Sequence, residues 1–142
     1  FFLSHIHEDH LGGLDNNWNE GFIYCSETTK DLLLKRFPGL KRKIGHKDIV
    51  QHLEVGESTL VSMGPLYGNA AINVTLLDSN HCLGSVMFLF ESAIFGKILH
   101  TGDFRYSPLM FNADDSLHLY DDEKRIEVDY LYLDNTGYSK FS

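Results

Sequence analysis

The chain has 142 residues, 43% hydrophobic and 23% charged, which is the composition of a folded domain with one ordinary core and excludes disorder as the default. Its formal charge of −8 weighs against nucleic acid as a partner on the sum alone, and its longest plainly apolar run, Val86 to Phe90, is far too short to cross a bilayer. With only two cysteines, Cys25 and Cys82, a secreted disulfide framework is excluded and a reducing compartment is expected.

Phe1 to Ser4 reads as the end of a strand without its beginning, and Ser139 to Ser142 stops in open chain, so the sequence is expected to be a piece of a longer protein. Phe22 to Cys25 suits a short buried strand. Ser26 is placed to cap a helix, with Glu27 in its first turn, running through Leu32, Leu33 and Leu34 and stopping before Pro38-Gly39. From Lys30 to Lys47 lie seven of the twelve basic residues and one acid, Asp31, so this segment carries +6 and the rest of the chain −14. It is either the solvated face of a helix or a patch that contacts phosphate.

Strands are expected over 49–54 and 59–63, separated by a turn at Val55-Gly56-Glu57-Ser58. Ala71 to Asp78 alternates Ile72, Val74 and Leu76 against Asn73 and Thr75, the period of a strand with one face buried. Ser85 to Glu91 is apolar on both faces, as in a central strand. Further strands are predicted over 97–101 and 128–134, with an acidic exposed loop over 112–127 between them. Strands this close in sequence form hairpins more readily than repeated crossovers, so the fold is read as α+β with a mixed or antiparallel sheet.

The chemistry starts at Ser4-His5-Ile6-His7-Glu8-Asp9-His10-Leu11-Gly12-Gly13. In an extended loop His5 and His7 point the same way, as a chelating pair requires, and Asp9 and His10 turn toward a second position nearby. Two later loops add donors: Asn80-His81-Cys82-Leu83-Gly84-Ser85 and Thr101-Gly102-Asp103-Phe104-Arg105. Each alone is an ordinary turn, but together they supply three histidines and a carboxylate for one metal, and a carboxylate able to bridge to a second. Cys82 neighbours His81 along the chain, where side chains point apart, and is read as a packing residue.

These motifs resemble the successive metal motifs of the metallo-β-lactamase superfamily. Leu77-Asp78-Ser79-Asn80-His81-Cys82, Gly84-Ser85-Val86-Met87-Phe88-Leu89-Phe90-Glu91 and Thr101-Gly102-Asp103-Phe104-Arg105-Tyr106-Ser107-Pro108 narrow the resemblance to the β-CASP branch of DNA-repair nucleases, the Apollo and Artemis group. Leu131-Tyr132-Leu133-Asp134-Asn135-Thr136 resembles the first β-CASP motif, and Asn135 together with residues 55–58 leans toward the Apollo side. The likeness covers Phe1 to about Thr136. Leu83 stands where the family usually has proline, and Gly137-Tyr138-Ser139 departs from the Apollo pattern.

The resemblance implies an αββα sandwich, present in part, with the metal-binding domain over 1–136 and the start of the β-CASP region at 137–142. It implies zinc, one or two ions: His5, His7 and His81 for the first, Asp103 as bridge, Asp9 and His10 for the second. Asp9, Asp103 and Asp134 are the implied catalytic acids; without the resemblance, Asp134 is a strand-end residue that caps the next turn. The implied activity is 5′-to-3′ degradation of DNA, from a 5′-phosphorylated end, in crosslink repair and at telomere ends, within the nucleus and with telomere-binding proteins as partners. The alternatives are an RNA-processing β-CASP nuclease and a noncatalytic scaffold of the same fold.

Overall fold

The computed structural model describes residues 1–111, 120–121, 124–125 and 127–136. β1 (Ile23–Cys25) is followed by α1 (Glu27–Arg36), a 3₁₀ turn at Pro38–Leu40, and the short strands β2 (Lys43–Ile44), β3 (Lys47–Asp48) and β4 (Val50–His52). Then come β5 (Ser58–Ser62), β6 (Ala71–Asp78), β7 (Val86–Ser92), β8 (Gly96–His100), β9 (Tyr120–Asp121), β10 (Lys124–Arg125) and β11 (Tyr130–Tyr132). The helix starts where Ser26 accepts a hydrogen bond from the Thr29 amide, which satisfies one of the free N–H groups of the first turn.

The large sheet runs β11-β8-β7-β6-β5. β5 to β8 pair antiparallel and β11 joins β8 in parallel, so the sheet is mixed, as expected from the spacing. β1 and β4 form a small parallel pair beside it, extended by a bridge from Phe2 to Tyr24. Alternation along β1 explains the layering. Ile23 and Cys25 pack with Leu33 of α1, Leu40, Ile49 and Val50, while Tyr24 faces the other way, against Val74, Leu76 and Phe88 of the large sheet. Helix, small sheet and large sheet therefore stack in that order. On the far face of the large sheet, Leu77, Met87 and Leu89 pack with Met110. Among the described residues no α-helix covers that face, so the arrangement is α+β and presents part of the expected sandwich.

Several expectations need adjustment. Lys30, Lys35 and Arg36 lie on α1, but Lys43 and Lys47 sit on the β2–β3 hairpin, so the basic segment is not one helical face. The far strand is shorter than predicted, Tyr130–Tyr132, the residues that pair in register with Ile98, Leu99 and His100 of β8. Most of the acidic loop predicted over 112–127 lies outside the described residues; its described part includes the antiparallel pair β9–β10. The proposed β-CASP start at 137–142 lies outside them entirely. No helix among the described residues is long and apolar enough to cross a membrane.

Candidate metal centre

The loops that carry the histidines and aspartates leave the same edge of the layers and are tied to one another through the backbone. The first ligand loop enters between the sheets: Leu3 N–H donates to Tyr24 O at 2.9 Å, and Val86 N–H donates to Ser4 O at 3.0 Å. A 3₁₀ turn at Glu8–His10 follows, closed by His10 N–H to His7 O, and it sets the His10 ring 4.2 Å from the ring of His5 while its donor atom joins Asp9 in a separate group. His81 lies in the β6–β7 turn and Asp103 just after β8.

His5 Nε2, His7 Nδ1, His81 Nε2 and one Asp103 oxygen come together, with all four donor atoms within 4.8 Å of one another. His7 Nδ1 is 3.0 Å from His5 Nε2 and 3.2 Å from His81 Nε2, and Asp103 Oδ2 is 3.7 and 3.6 Å from the same two Nε2 atoms. A tetrahedral site with bonds of about 2.0–2.1 Å has donor–donor edges of roughly 3.3–3.4 Å. The observed spacings bracket that value, so the donor set fits zinc. Asp9, His10 and Asp103 form a second group, with His10 Nε2 3.5 Å from Asp9 Oδ2 and 3.4 Å from Asp103 Oδ1.

His5 is the most enclosed of these residues, fully buried, with Nδ1 3.0 Å from Ser4 Oγ. Burial, followed by the charge of His10, pushes its pKa down to about 4, against an opposing pull from Asp103. The ring is therefore neutral near pH 7. With Nε2 as the free lone pair that a metal requires, Nδ1–H would donate to Ser4 Oγ. His7 and Asp9 are exposed, and His10, His81 and Asp103 each keep 29% side-chain exposure, so the second group opens to solvent.

A positioning device here was not legible in the sequence. Gly84 O in the His81 turn accepts from Ser26 Oγ at 2.6 Å and from Thr29 Oγ1 at 3.0 Å, so the start of α1 grips the turn that carries His81. Thr29 is fully buried, and Gly84 has φ +80° with a Cβ position only 2.9 Å from Thr28 Cβ, so no larger residue fits. Within the turn, Ser85 Oγ donates to Cys82 O at 2.7 Å and receives Cys82 N–H at 3.0 Å. Cys82 is in neither donor group.

Asp134 is placed differently. It follows β11, its amide donates to Thr101 Oγ1 at 3.0 Å, and its Oδ1 accepts from Thr136 N–H at 2.9 Å and from the Thr136 hydroxyl at 2.5 Å. Those two hydrogen bonds hold its carboxyl below the usual range. Its carboxylate caps the next turn and stands outside both donor groups.

No family model matches the chain. Individual proteins do. It is 48% identical over 137 residues to 5′ exonuclease Apollo of Gallus gallus, covering 96% of this chain and 25% of the relative. It is 37% identical over 139 residues to the DNA cross-link repair protein pso2/snm1 of Schizosaccharomyces pombe, covering 96% and 21%. Protein artemis of Danio rerio is 35% identical over 146 residues, covering 96% and 22%.

The chain belongs to the Apollo, Pso2 and Artemis family of DNA-repair nucleases. It spans about a quarter or less of the length of these curated relatives. The family assignment agrees with the α+β layering and with the fit of both donor groups to a metal.

Proposed function

We propose that the protein is a zinc-dependent nuclease that hydrolyses DNA phosphodiesters from a 5′ end, acting in the nucleus in crosslink repair. The observation that carries this reading is the single carboxylate of Asp103, which faces His5 and His81 with one oxygen and His10 with the other. His5, His7 and His81 are the residues that would hold the first ion, with Asp103 completing that group and joining it to Asp9 and His10. Zinc bound there would supply a water of pKa about 7 and positive charge for the phosphate oxygens.

The chain's own residues set the rest. Ser4 Oγ gives His5 Nδ1 a hydrogen-bond partner, and the buried hydroxyls of Ser26 and Thr29 hold the His81 turn in place through Gly84. The exposed Asp9–His10 side leaves room for a phosphodiester to approach, while buried His5 anchors the first group to the core. In this reading Asp9 and Asp103 are acids of the catalytic site. Asp134 shapes its rim through Thr101 and Thr136, and residues 137–142 begin the β-CASP region. Preference for a 5′ phosphate and association with telomere-binding proteins belong to the same proposal, by likeness to the Apollo relatives.

The test is digestion of single-stranded DNA carrying either a 5′ phosphate or a 5′ hydroxyl, together with metal analysis of the active protein. Zinc in the active preparation and faster loss of the phosphorylated strand are expected. Active protein free of transition metal, or a preference for RNA, would overturn the reading.

A further inference from the structure

We infer that the basic arm formed by the end of α1, the following 3₁₀ turn and the β2–β3 hairpin is a track for the DNA backbone, fixed beside the metal loop. This rests on the proposal that DNA is the substrate of that centre. The arm is mounted on the same core as the metal loop: Leu33 and Leu40 pack with Leu3 and Leu11, and Phe37 joins them from its edge. Polar links hold it at three further points. Arg36 Nη2 reaches Glu8 Oε1 at 2.8 Å, between the ligands His7 and Asp9. Gly39 N–H donates to Asn16 Oδ1 at 2.9 Å, and the Arg42 guanidinium donates to the Trp18 carbonyl.

Lys35, Lys41, Lys43 and Lys47 project from this mount, are exposed, and make no ion pair among the described residues. Four exposed ammonium groups in thirteen residues repel one another. The rest of the chain carries −14 and repels a polyanion, so the arm, at +6 from Lys30 to Lys47, sets the side from which a phosphate chain can arrive. Lysine ammonium groups on flexible stems suit phosphate contact without base readout, which is what a nuclease indifferent to sequence needs. From Arg36 beside the metal loop to Lys43 the chain spans at most about 25 Å, a reach that one strand of a duplex, at about 3.4 Å per phosphate, covers in roughly seven nucleotides.

The experiment uses the intact protein and a 3′-labelled phosphorothioate single strand of roughly 20 nucleotides, with binding read by fluorescence anisotropy across a salt series. Replacing Lys41, Lys43 and Lys47 together by Gln should weaken binding about tenfold to a hundredfold near 0.1 M salt. It should also make the slope of log K against log salt shallower by about 2, at roughly 0.7 per lost phosphate contact. Zinc content and thermal midpoint should stay at wild-type values, and Lys97→Gln, on β8, should leave affinity unchanged. Should the triple variant misfold, Lys43→Gln alone should reduce the slope by about 0.7. Wild-type binding with an unchanged slope in a folded variant would overturn the track and leave the nuclease reading standing. Wild-type protein that does not bind the strand at all would overturn the nuclease reading itself.

Discussion

Asp103 points its two carboxylate oxygens at different histidines: Oδ1 lies 3.4 Å from His10 Nε2, and Oδ2 lies 3.7 Å from His5 Nε2. One side chain therefore belongs to both donor groups, and its loss differs from the loss of any other ligand. His10→Ala should lower the amount of bound zinc while leaving the His5–His7–His81 group loaded. Asp103→Asn should weaken metal binding at both groups. Because a bound metal contributes several kcal/mol to stabilising charge, activity should fall by at least about a hundredfold in Asp103→Asn. Metal stoichiometry by mass spectrometry, beside a nuclease assay, checks both; equal metal contents in the two variants would contradict the shared-carboxylate geometry.

Thr29 gives a second prediction, since its buried hydroxyl donates to Gly84 O, three residues beyond His81. Thr29→Val keeps the shape and removes the donor. Ser26 Oγ still serves the carbonyl, so the expected stability loss is about 1 kcal/mol. Zinc affinity should drop by about tenfold, the lower end for residues that orient a ligand. Chelator competition measures the affinity and denaturant melts the stability; a stability loss with unaltered zinc affinity would show that the contact serves folding alone.

Gly96 opens β8 at φ +78°, and a Cβ there would stand 2.1 Å from Asp129 Oδ2. That oxygen is held by the Lys97 N–H at 2.7 Å. Gly96→Ala should destabilise the protein by about 1–3 kcal/mol through overpacking and a left-handed backbone. Adding Asp129→Ala should recover part of the loss, which a double-mutant cycle in urea measures. Strict additivity of the two substitutions would show that they do not meet.

Acid should loosen the metal-free protein through His5. Its folded pKa, about 4, lies below the ordinary value of 6.5, so between those values the unfolded chain takes up a proton that the folded one refuses. The His5 contribution to stability is complete above pH 6.5 and is lost as pH falls toward 4. Urea midpoints for zinc-stripped protein should decline over that window, and His5→Gln should flatten the decline. An unchanged pH profile in that variant would assign the acid sensitivity to other groups.

Elements whose causes are local are legible in the chain alone. The alternation from Ala71 to Asp78 marks β6 over those same residues, because every second side chain must leave water. Ser26 marks the helix start because a hydroxyl at that position meets the amide three residues on. The spacing in His5-Ile6-His7-Glu8-Asp9-His10 names the donors for the same reason, since a short loop has few ways to aim them. Where donors 74 residues apart meet, as His7 and His81 do at 3.2 Å, only the packed sheets could decide the distance. The grip of Ser26 on Gly84 crosses 58 residues and left no trace in either local pattern. Leu77 breaks the alternation of β6 in the sequence, and the far-face contacts with Met87 and Met110 account for its burial. The basic segment became a helix end and a hairpin because Pro38 ends the helical hydrogen bonding and Gly45 takes φ +63° at the hairpin turn. Local rules fix what a few neighbouring residues can do; the division of Asp103 between two histidine groups required strands from across the chain to be brought together by burial of their apolar faces.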